Sequence, residues 1–233
     1  MSDKNPHDGH RSRMRQRYLE LGFDGFQDHE ILEMILYNCY RRRNTNDIAH
    51  KLLETFGSIS AVVEAPVDSL IEAGVSESVA VTLKMIPDIC RVYYDDRNNR
   101  PSKIIQFDEL CDYFIHKFIG RFDEVVYLLL MDSKKRELFC GVVATGTNCA
   151  SDVPLRKIVD FALRYGASNA VIAHNHPSGI ALPSRMDLQV TNILFKTLES
   201  VGVRLVDHII VADDDCVSLR DSELCNALIV YDD

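Results

Sequence analysis

The chain has 233 residues, a mass of 26.5 kDa and a formal net charge of −9, with 46% hydrophobic and 26% charged residues. This length and composition exclude a wholly disordered chain and allow one large domain or two modest ones. The acidic balance argues against non-specific coating of nucleic acid, and no apolar run approaches the roughly 20 residues that span a bilayer. The polar N-terminus has no signal-peptide core, so a cytoplasmic location is expected.

The first hundred residues are predicted to form short helices. An apolar stripe with helical spacing covers residues 28–38, and a second helix covers 45–56. A third helix is expected over 76–93, with a break in its hydrogen bonding at Pro87. The polar segment 95–102 is the predicted domain boundary.

Helices and strands are mixed after this boundary. The predicted helices cover 108–118, 152–165 and 184–201, and the predicted strands cover 124–131, 138–144, 169–173, 203–211 and 216–219. The connection between the first two strands is short enough for them to form a hairpin. This order favours an α/β sandwich built on a mixed sheet. The predicted organisation is therefore an all-helical domain over 8–95 and an α/β domain over 103–233.

The cysteines suggest a reducing environment. There are seven of them, an odd number, and none forms a Cys-x-x-Cys pair. A secreted disulfide framework and a thiolate zinc knuckle are therefore not expected. The sequence predicts reduced thiols that fill apolar positions.

The segment 171–187, VIAHNHPSGIALPSRMD, carries the candidate chemistry. His174 and His176 are one residue apart at the end of an apolar strand, so both side chains point to the same side. Two converging imidazoles suit zinc. Asp187, in the first turn of the next helix, could complete a three-ligand site with an open fourth position, as in catalytic zinc sites. Two alternatives remain: Ser184 and Asp187 also have the spacing of a capping box, and strand-end histidines often bond only to backbone groups.

The complete string, His-x-His, seven residues, Ser, two residues, Asp, resembles the zinc signature of the JAB/JAMM (MPN-type) metallopeptidases. Within that group, HNHPSG followed by PSRMD is similar to the RadC family of bacterial proteins. The similarity extends over nearly the whole chain, through GHRSRMRQRYLELGFDGFQDHEILEMIL, MDSKKRELFCGVVATGT and LVDHIIVADDDCVSLRDS.

The resemblance implies a fold and a site. The fold would be a mixed-sheet JAMM or cytidine-deaminase-like α/β sandwich, preceded by a small all-helical domain. The zinc ligands would be His174, His176 and Asp187. The Ser184 hydroxyl would hydrogen-bond to the metal-bound water or to the developing oxyanion.

The resemblance also implies a general-base Glu on the second hairpin strand, six residues before Thr147, where this chain has Gly141. Glu137 is expected on the same strand face as Gly141 but about 13 Å along the strand, too far to substitute. General-base assistance is worth about 10²–10⁴-fold. Two hypotheses therefore stay open. One is a zinc-dependent hydrolase of amide or isopeptide bonds in a protein or peptide substrate, and the other is a catalytically silent zinc-binding module associated with DNA repair or protein interaction.

The N-terminal region resembles the part of RadC proteins that ends in a helix-hairpin-helix element, which binds DNA phosphates at a Gly-x-Gly hairpin. The hairpin would be 72–76, with Ser76 where the second glycine usually stands. Residues 1–100 carry 13 Lys and Arg against 16 Asp and Glu, a net of −3, so only weak DNA binding is expected. Two arginine clusters are either phosphate contacts or solvated faces: Arg11, Arg13, Arg15 and Arg17, and Arg41, Arg42 and Arg43.

His208 follows Asp207 directly, which invites a catalytic pairing. Adjacent strand residues point to opposite faces, so we expect Asp207 to turn away from His208 instead.

Overall fold

The computed structural model describes residues 9–40, 43–98, 104–146, 153–222 and 224–225. The chain divides into two compact units, the first ending at Ile89 and the second beginning at Cys90. This division lies inside the long helix of residues 77–98 and precedes the predicted boundary at 95–102. None of the described helices combines the length and the hydrophobicity that crossing a membrane requires.

The first unit is helical. Its described residues form α1 His10–Leu21, α2 Asp28–Leu36, α3 Thr45–Phe56, α4 Ile59–Glu64, α5 Val67–Glu72 and the start of α6, Glu77–Asn98. The helices predicted over 28–38, 45–56 and 76–93 are thus confirmed, with α6 extending further and containing Pro87. Leu32, Leu52 and Leu83 are among the fully buried residues of this unit's core.

Residues 73–76 connect α5 to α6 in a tight turn. Gly74 has a φ of +102°, a backbone conformation that favours glycine, and the Lys51 ammonium lies 3.2 Å from the position a Cβ would take there. Ser76 follows the turn and its carbonyl accepts the first hydrogen bonds of α6, from Val79 and Ala80. A role of this turn in DNA binding stays a prediction.

The second unit is built on a five-stranded mixed sheet of order β2-β1-β3-β4-β5. The strands are β1 Val125–Met131, β2 Glu137–Thr145, β3 Asn169–Asn175, β4 Arg204–Ala212 and β5 Asp215–Ser218. Strands β1 and β2 form the predicted hairpin, and β3 and β4 are the parallel pair.

Helices cover both faces of this sheet. On one face Leu128 and Ile172 pack with residues of α8 Leu155–Arg164 and α9 Arg185–Glu199. On the other face Leu129 packs with α7 Leu110–Ile115. The predicted mixed-sheet α/β sandwich is therefore confirmed. Asp152, expected near the cap of α8, lies outside the described residues.

The expectation that all the cysteines are reduced is wrong for one pair. Cys111 in α7 and Cys216 in β5 form a disulfide, with their Cα atoms 5.8 Å apart and a separation of 105 positions in the sequence. The packing of α7 onto the edge strand brings them together, which no local spacing could indicate. Among the described residues, four cysteines are free thiols: Cys39, Cys90, Cys140 and Cys225.

Candidate metal centre

The two histidines lie at the end of β3. His174 is the penultimate residue of the strand and is 2% exposed, and His176 follows the strand. The backbone N–H of His176 donates to the Val211 carbonyl of β4 at 2.8 Å, which extends the parallel pairing past the end of the strand. The His176 ring is held by its Nδ1, which lies 2.9 Å from the Ile180 carbonyl oxygen.

Asp187 enters the site from the first turn of α9. Ser184 is the N-cap of this helix, and its hydroxyl oxygen accepts from the Asp187 N–H at 3.2 Å. Asp187 Oδ2 accepts in return from the Ser184 N–H at 2.6 Å. The capping box exists, and it orients Asp187 so that its other oxygen faces the histidines. The capping interpretation and the ligand interpretation of this spacing are thus compatible.

The three side chains converge on one point. His174 Nε2 lies 2.9 Å from His176 Nε2 and 3.3 Å from Asp187 Oδ1, and His176 Nε2 lies 3.6 Å from Asp187 Oδ2. A carbonyl oxygen can only accept, so His176 Nδ1 carries the hydrogen and, in the neutral ring, Nε2 presents a lone pair. Two nitrogens and a carboxylate face one another at the distances of an ion's ligand shell.

The donor set fits a metal ion. Asp187 Oδ1 is buried and has no hydrogen-bond partner among the described residues, a costly state that a cation would relieve. Tetrahedral ligands about 2.0–2.1 Å from zinc lie about 3.3 Å from one another, close to the separations seen here. His174, His176 and Asp187 are also the one group of three such side chains in the described part of the chain that could hold a metal ion.

Electrostatics separates the roles of the three groups. Burial lowers the pKa of His174 to about 4, so its ring is neutral at neutral pH. In its protonated form the His176 ring donates to Asp187, and this is the largest cause that raises the pKa of His176. Burial acts to raise the pKa of Asp187, but the interaction with a protonated His176 and the hydrogen bonds from Ser184 outweigh it and hold the pKa well below its ordinary value. The site thus contains a carboxylate at neutral pH.

A carboxylate that the sequence did not single out acts electrostatically on this cluster. Val126 of β1 pairs with His174, and Glu124 lies two residues before Val126, on the side of the sheet that these residues share. Its negative charge contributes to raising the pKa of His176, after the hydrogen bond and the charge of Asp187. Glu124 is half-buried. The position of Glu124 relative to the histidines follows only from the register between β1 and β3.

The structure corrects the expectation that Gly141 occupies the general-base position. Gly141 pairs with Leu128, which pairs with Ile172, so Gly141 is in line with a residue two positions before His174. An ideal Cβ at Gly141 would lie 2.6 Å from the Phe139 ring. This position faces the half-buried Phe139 ring, and it lies two residues along the strands from the level of His174. Thr147, from which the position was counted, lies outside the described residues.

Glu137 is also placed differently from the expectation. A bulge between Phe139 and Glu137 changes the side-chain alternation, so Glu137 pairs with Met131 of the opposite core. Its carboxylate accepts a hydrogen bond from the Tyr113 hydroxyl at 2.9 Å. The shared strand face predicted for Glu137 and Gly141 is therefore wrong.

Asp207 and His208 point to opposite sides of β4, as expected. Asp207 accepts from the Ser218 hydroxyl at 2.5 Å and from the Arg220 N–H at 3.1 Å. His208 turns toward the candidate metal centre, where its Nε2 lies 2.8 Å from His174 Nδ1.

Comparison with known proteins agrees with this geometry. Residues 104–224 match the family model described as RadC-like JAB domain, which covers the sheet and all three candidate ligands. A UPF0758 protein of Fusobacterium nucleatum subsp. nucleatum is 31% identical over 232 residues, covering 96% of this chain and 100% of the relative. The chain belongs to the RadC family, with a RadC-like JAB domain within its second unit.

Proposed function

We propose that this protein is a zinc-dependent hydrolase of amide or isopeptide bonds in a protein or peptide substrate. The observation that carries the proposal is the convergence of two imidazole lone pairs and the unsatisfied Asp187 oxygen, with the charge of Glu124 acting on His176. His174, His176 and Asp187 would hold the ion. A zinc ion bound there supplies Lewis-acid chemistry and lowers the pKa of a water ligand to about 7.

The remaining residues have distinct tasks in this proposal. Glu124 accepts the proton of the attacking water and passes it to the leaving amine, the task that the Gly141 position cannot perform. The Ser184 oxygen accepts from the Asp187 N–H, and its hydroxyl hydrogen turns from the Asp187 carboxylate to the developing oxyanion when substrate binds. Ser184 is exposed at the cap of α9, where a substrate carbonyl can reach it.

The alternative is a zinc-binding module without turnover, serving DNA repair or protein interaction. The presence of Glu124 favours the hydrolase. This half-buried carboxylate, whose charge acts on His176, can serve as the general base that position 141 does not provide. A predicted cytoplasmic location is compatible with either function.

Metal analysis of the purified full chain tests the site. We expect about one zinc ion per chain, severe loss of zinc in His176→Ala, and full occupancy in the control His50→Ala, whose exposed ring lies in the other unit. Cleavage of peptide and isopeptide substrates should then require zinc and disappear in His174→Ala. Wild-type protein that neither contains nor binds zinc would refute the site, and zinc binding without cleavage would favour the silent module.

A further inference from the structure

A chain of hydrogen bonds runs behind the candidate ligands and returns to one of them. His174 Nδ1 lies 2.8 Å from His208 Nε2, and His208 Nδ1 lies 2.5 Å from Thr191 Oγ1. Thr191 Oγ1 lies 2.6 Å from the main-chain oxygen of Asp187. His208 and Thr191 are 3% and 0% exposed, so water does not compete for these bonds.

The direction of every hydrogen in this chain is determined by its last member. The Asp187 carbonyl can only accept, so the single hydroxyl hydrogen of Thr191 points to it. Thr191 Oγ1 must then accept from His208, which places the hydrogen of a neutral His208 ring on Nδ1. His208 Nε2 is left as an acceptor and takes the hydrogen of His174 Nδ1.

The consequence lies at the other side of the His174 ring. With its hydrogen on Nδ1, a neutral His174 presents a bare Nε2, and this is the atom that faces His176 and Asp187. The opposite tautomer would direct an N–H at the ligand cluster and block coordination. The main-chain oxygen that determines these hydrogen positions belongs to Asp187, which is itself a candidate ligand.

We propose that His208 and Thr191 are positioning residues of the metal site, which fix the tautomer of His174 and thereby make its Nε2 a ligand. This inference rests on the proposed metal site. Hydrogen-bond partners of metal-binding histidines are typically worth 10–100-fold in metal affinity. The arrangement of hydrogens along this chain depends on the Thr191 hydroxyl, although this hydroxyl contacts none of the candidate ligand side chains.

Two substitutions of Thr191 separate the hydroxyl from the shape of the side chain. Thr191→Val keeps the shape and removes the hydroxyl, and Thr191→Ser keeps the hydroxyl. The affinity of each full-length variant for Co²⁺ is measured from the visible absorption of the bound ion, and the zinc affinity by competition. We expect Thr191→Val to bind about 10–100-fold more weakly than wild type, and Thr191→Ser to bind within about threefold of it.

A second measurement reads the tautomer without metal. Two-bond couplings between ring protons and nitrogens in NMR spectra of the metal-free protein report which nitrogen of His174 carries the hydrogen. We expect Nδ1–H in wild type and Thr191→Ser, and a mixture of tautomers in Thr191→Val. His208→Gln should keep part of the affinity that His208→Leu loses, because the amide oxygen can accept from His174 Nδ1–H.

The outcomes are distinct. Equal metal affinities for Thr191→Val and Thr191→Ser, whether both retained or both lost, would overturn the inference, as would Nε2–H on His174 in the wild type. Failure of the wild type itself to bind zinc or Co²⁺ would instead overturn the proposed function, and the NMR measurement would still test the tautomer.

Discussion

Val126 and His174 are paired across β1 and β3, and this pairing aligns the start of β1 with the residues that follow β3. Glu124 therefore lies on the same side of the sheet as His176, and its charge acts on the His176 ring although 52 positions separate them in the sequence. A second link agrees with this register, because the Val125 N–H donates to the side-chain oxygen of Asn175 at 2.7 Å. The beginning of the first strand and the end of the third are therefore neighbours in the sheet.

The first prediction concerns Glu124. Glu124→Gln should lower zinc-dependent hydrolysis by about 10²–10⁴-fold while zinc content stays unchanged, because the amide cannot accept the proton. It should also lower the pKa of His176 in metal-free protein, measured by NMR titration, because a negative charge is removed. Asp123→Asn, at the exposed neighbouring position, is the matched control. Unchanged hydrolysis and an unchanged His176 pKa in Glu124→Gln would contradict the assignment.

The second prediction concerns Gly141. A side chain there must displace the Phe139 ring, which packs on Phe161 and Tyr165 with ring centroids 5.1 and 5.0 Å away. Gly141→Glu should therefore destabilise the protein, by about 1–3 kcal/mol or more, and should not add a second base to the site. Urea unfolding measures the loss. Gly141→Ala tests the packing effect without the charge, and a stable Gly141→Glu with faster hydrolysis would show that position 141 reaches the site after all.

The third prediction concerns Asp207 and pH. Burial raises the pKa of this carboxyl from its ordinary 3.8 to about 6 despite the hydrogen bonds it accepts. The folded state therefore holds the proton more tightly than the unfolded chain. Its contribution to stability is fully present below about pH 4 and is lost as the pH rises through about 6, a change of about 3 kcal/mol.

Asp207→Asn should remove this component. The amide oxygen can still accept from the N–H groups of His208 and Arg220, and the amide nitrogen can donate to the Ser218 hydroxyl. The free energy of unfolding, measured in urea between pH 4 and 7 with a chelator present, should fall less steeply with pH in the variant. Parallel curves for the two proteins would mean that Asp207 has the same pKa folded and unfolded.

The fourth prediction concerns DNA. In the first arginine cluster, Arg11 donates to the carbonyls of Tyr40 and Arg43 at 2.7 and 2.8 Å, and Arg17 forms an ion pair with Glu30 at 2.9 Å. These contacts are internal, whereas Arg41 and Arg42 lie outside the described residues. We expect micromolar or weaker, strongly salt-dependent DNA binding, as for non-specific complexes.

Fluorescence anisotropy with a labelled duplex at two salt concentrations measures this binding. Alanine at Arg41, Arg42 and Arg43 should remove it, whereas Arg11→Ala should lower stability and leave the affinity of the folded protein unchanged. Nanomolar, sequence-specific binding at physiological salt would contradict the prediction.

The fifth prediction concerns the disulfide between Cys111 and Cys216. Opening a covalent loop of about 105 residues should lower the free energy of unfolding by about 2–5 kcal/mol. Adding a dithiol reductant, which is oxidised as the protein disulfide is reduced to two thiols, should lower the melting temperature of wild type. The double variant Cys111→Ser, Cys216→Ser should melt at the lower temperature with or without reductant, and Cys90→Ser, a free exposed thiol, should behave as wild type. A melting temperature of wild type that does not respond to the dithiol would contradict the bond's stabilising role.

Local patterns in the sequence predicted a large part of this structure. The continuous apolar run of β1, the turn after it and the return of β2 are adjacent in the chain, and the hairpin was predicted correctly. The convergence of His174, His176 and Asp187 was also predictable, because a strand end, a short loop and a helix N-terminus determine it within 14 residues.

The features that could not be predicted depend on contacts between distant segments. The placement of Glu124 depends on the register between β1 and β3, and the position of Glu137 depends on a bulge in β2. The His208 contact with His174 depends on the parallel pairing of β3 and β4, in which His208 pairs with Ile172. Neither alternation along one strand nor residue spacing contains this information.

The bond between Cys111 and Cys216 turns the second unit into a covalent ring that encloses β1 to β4, α8, α9 and the three candidate ligands. A protease that cuts the exposed loop between His176 and Ser184 would separate the histidines from Asp187 along the chain, but not from the molecule. The two pieces would stay linked, and would migrate as one species in a denaturing gel until a reductant opened the ring. The segments that carry the candidate ligands are thus covalently linked through the disulfide as well as through the peptide backbone.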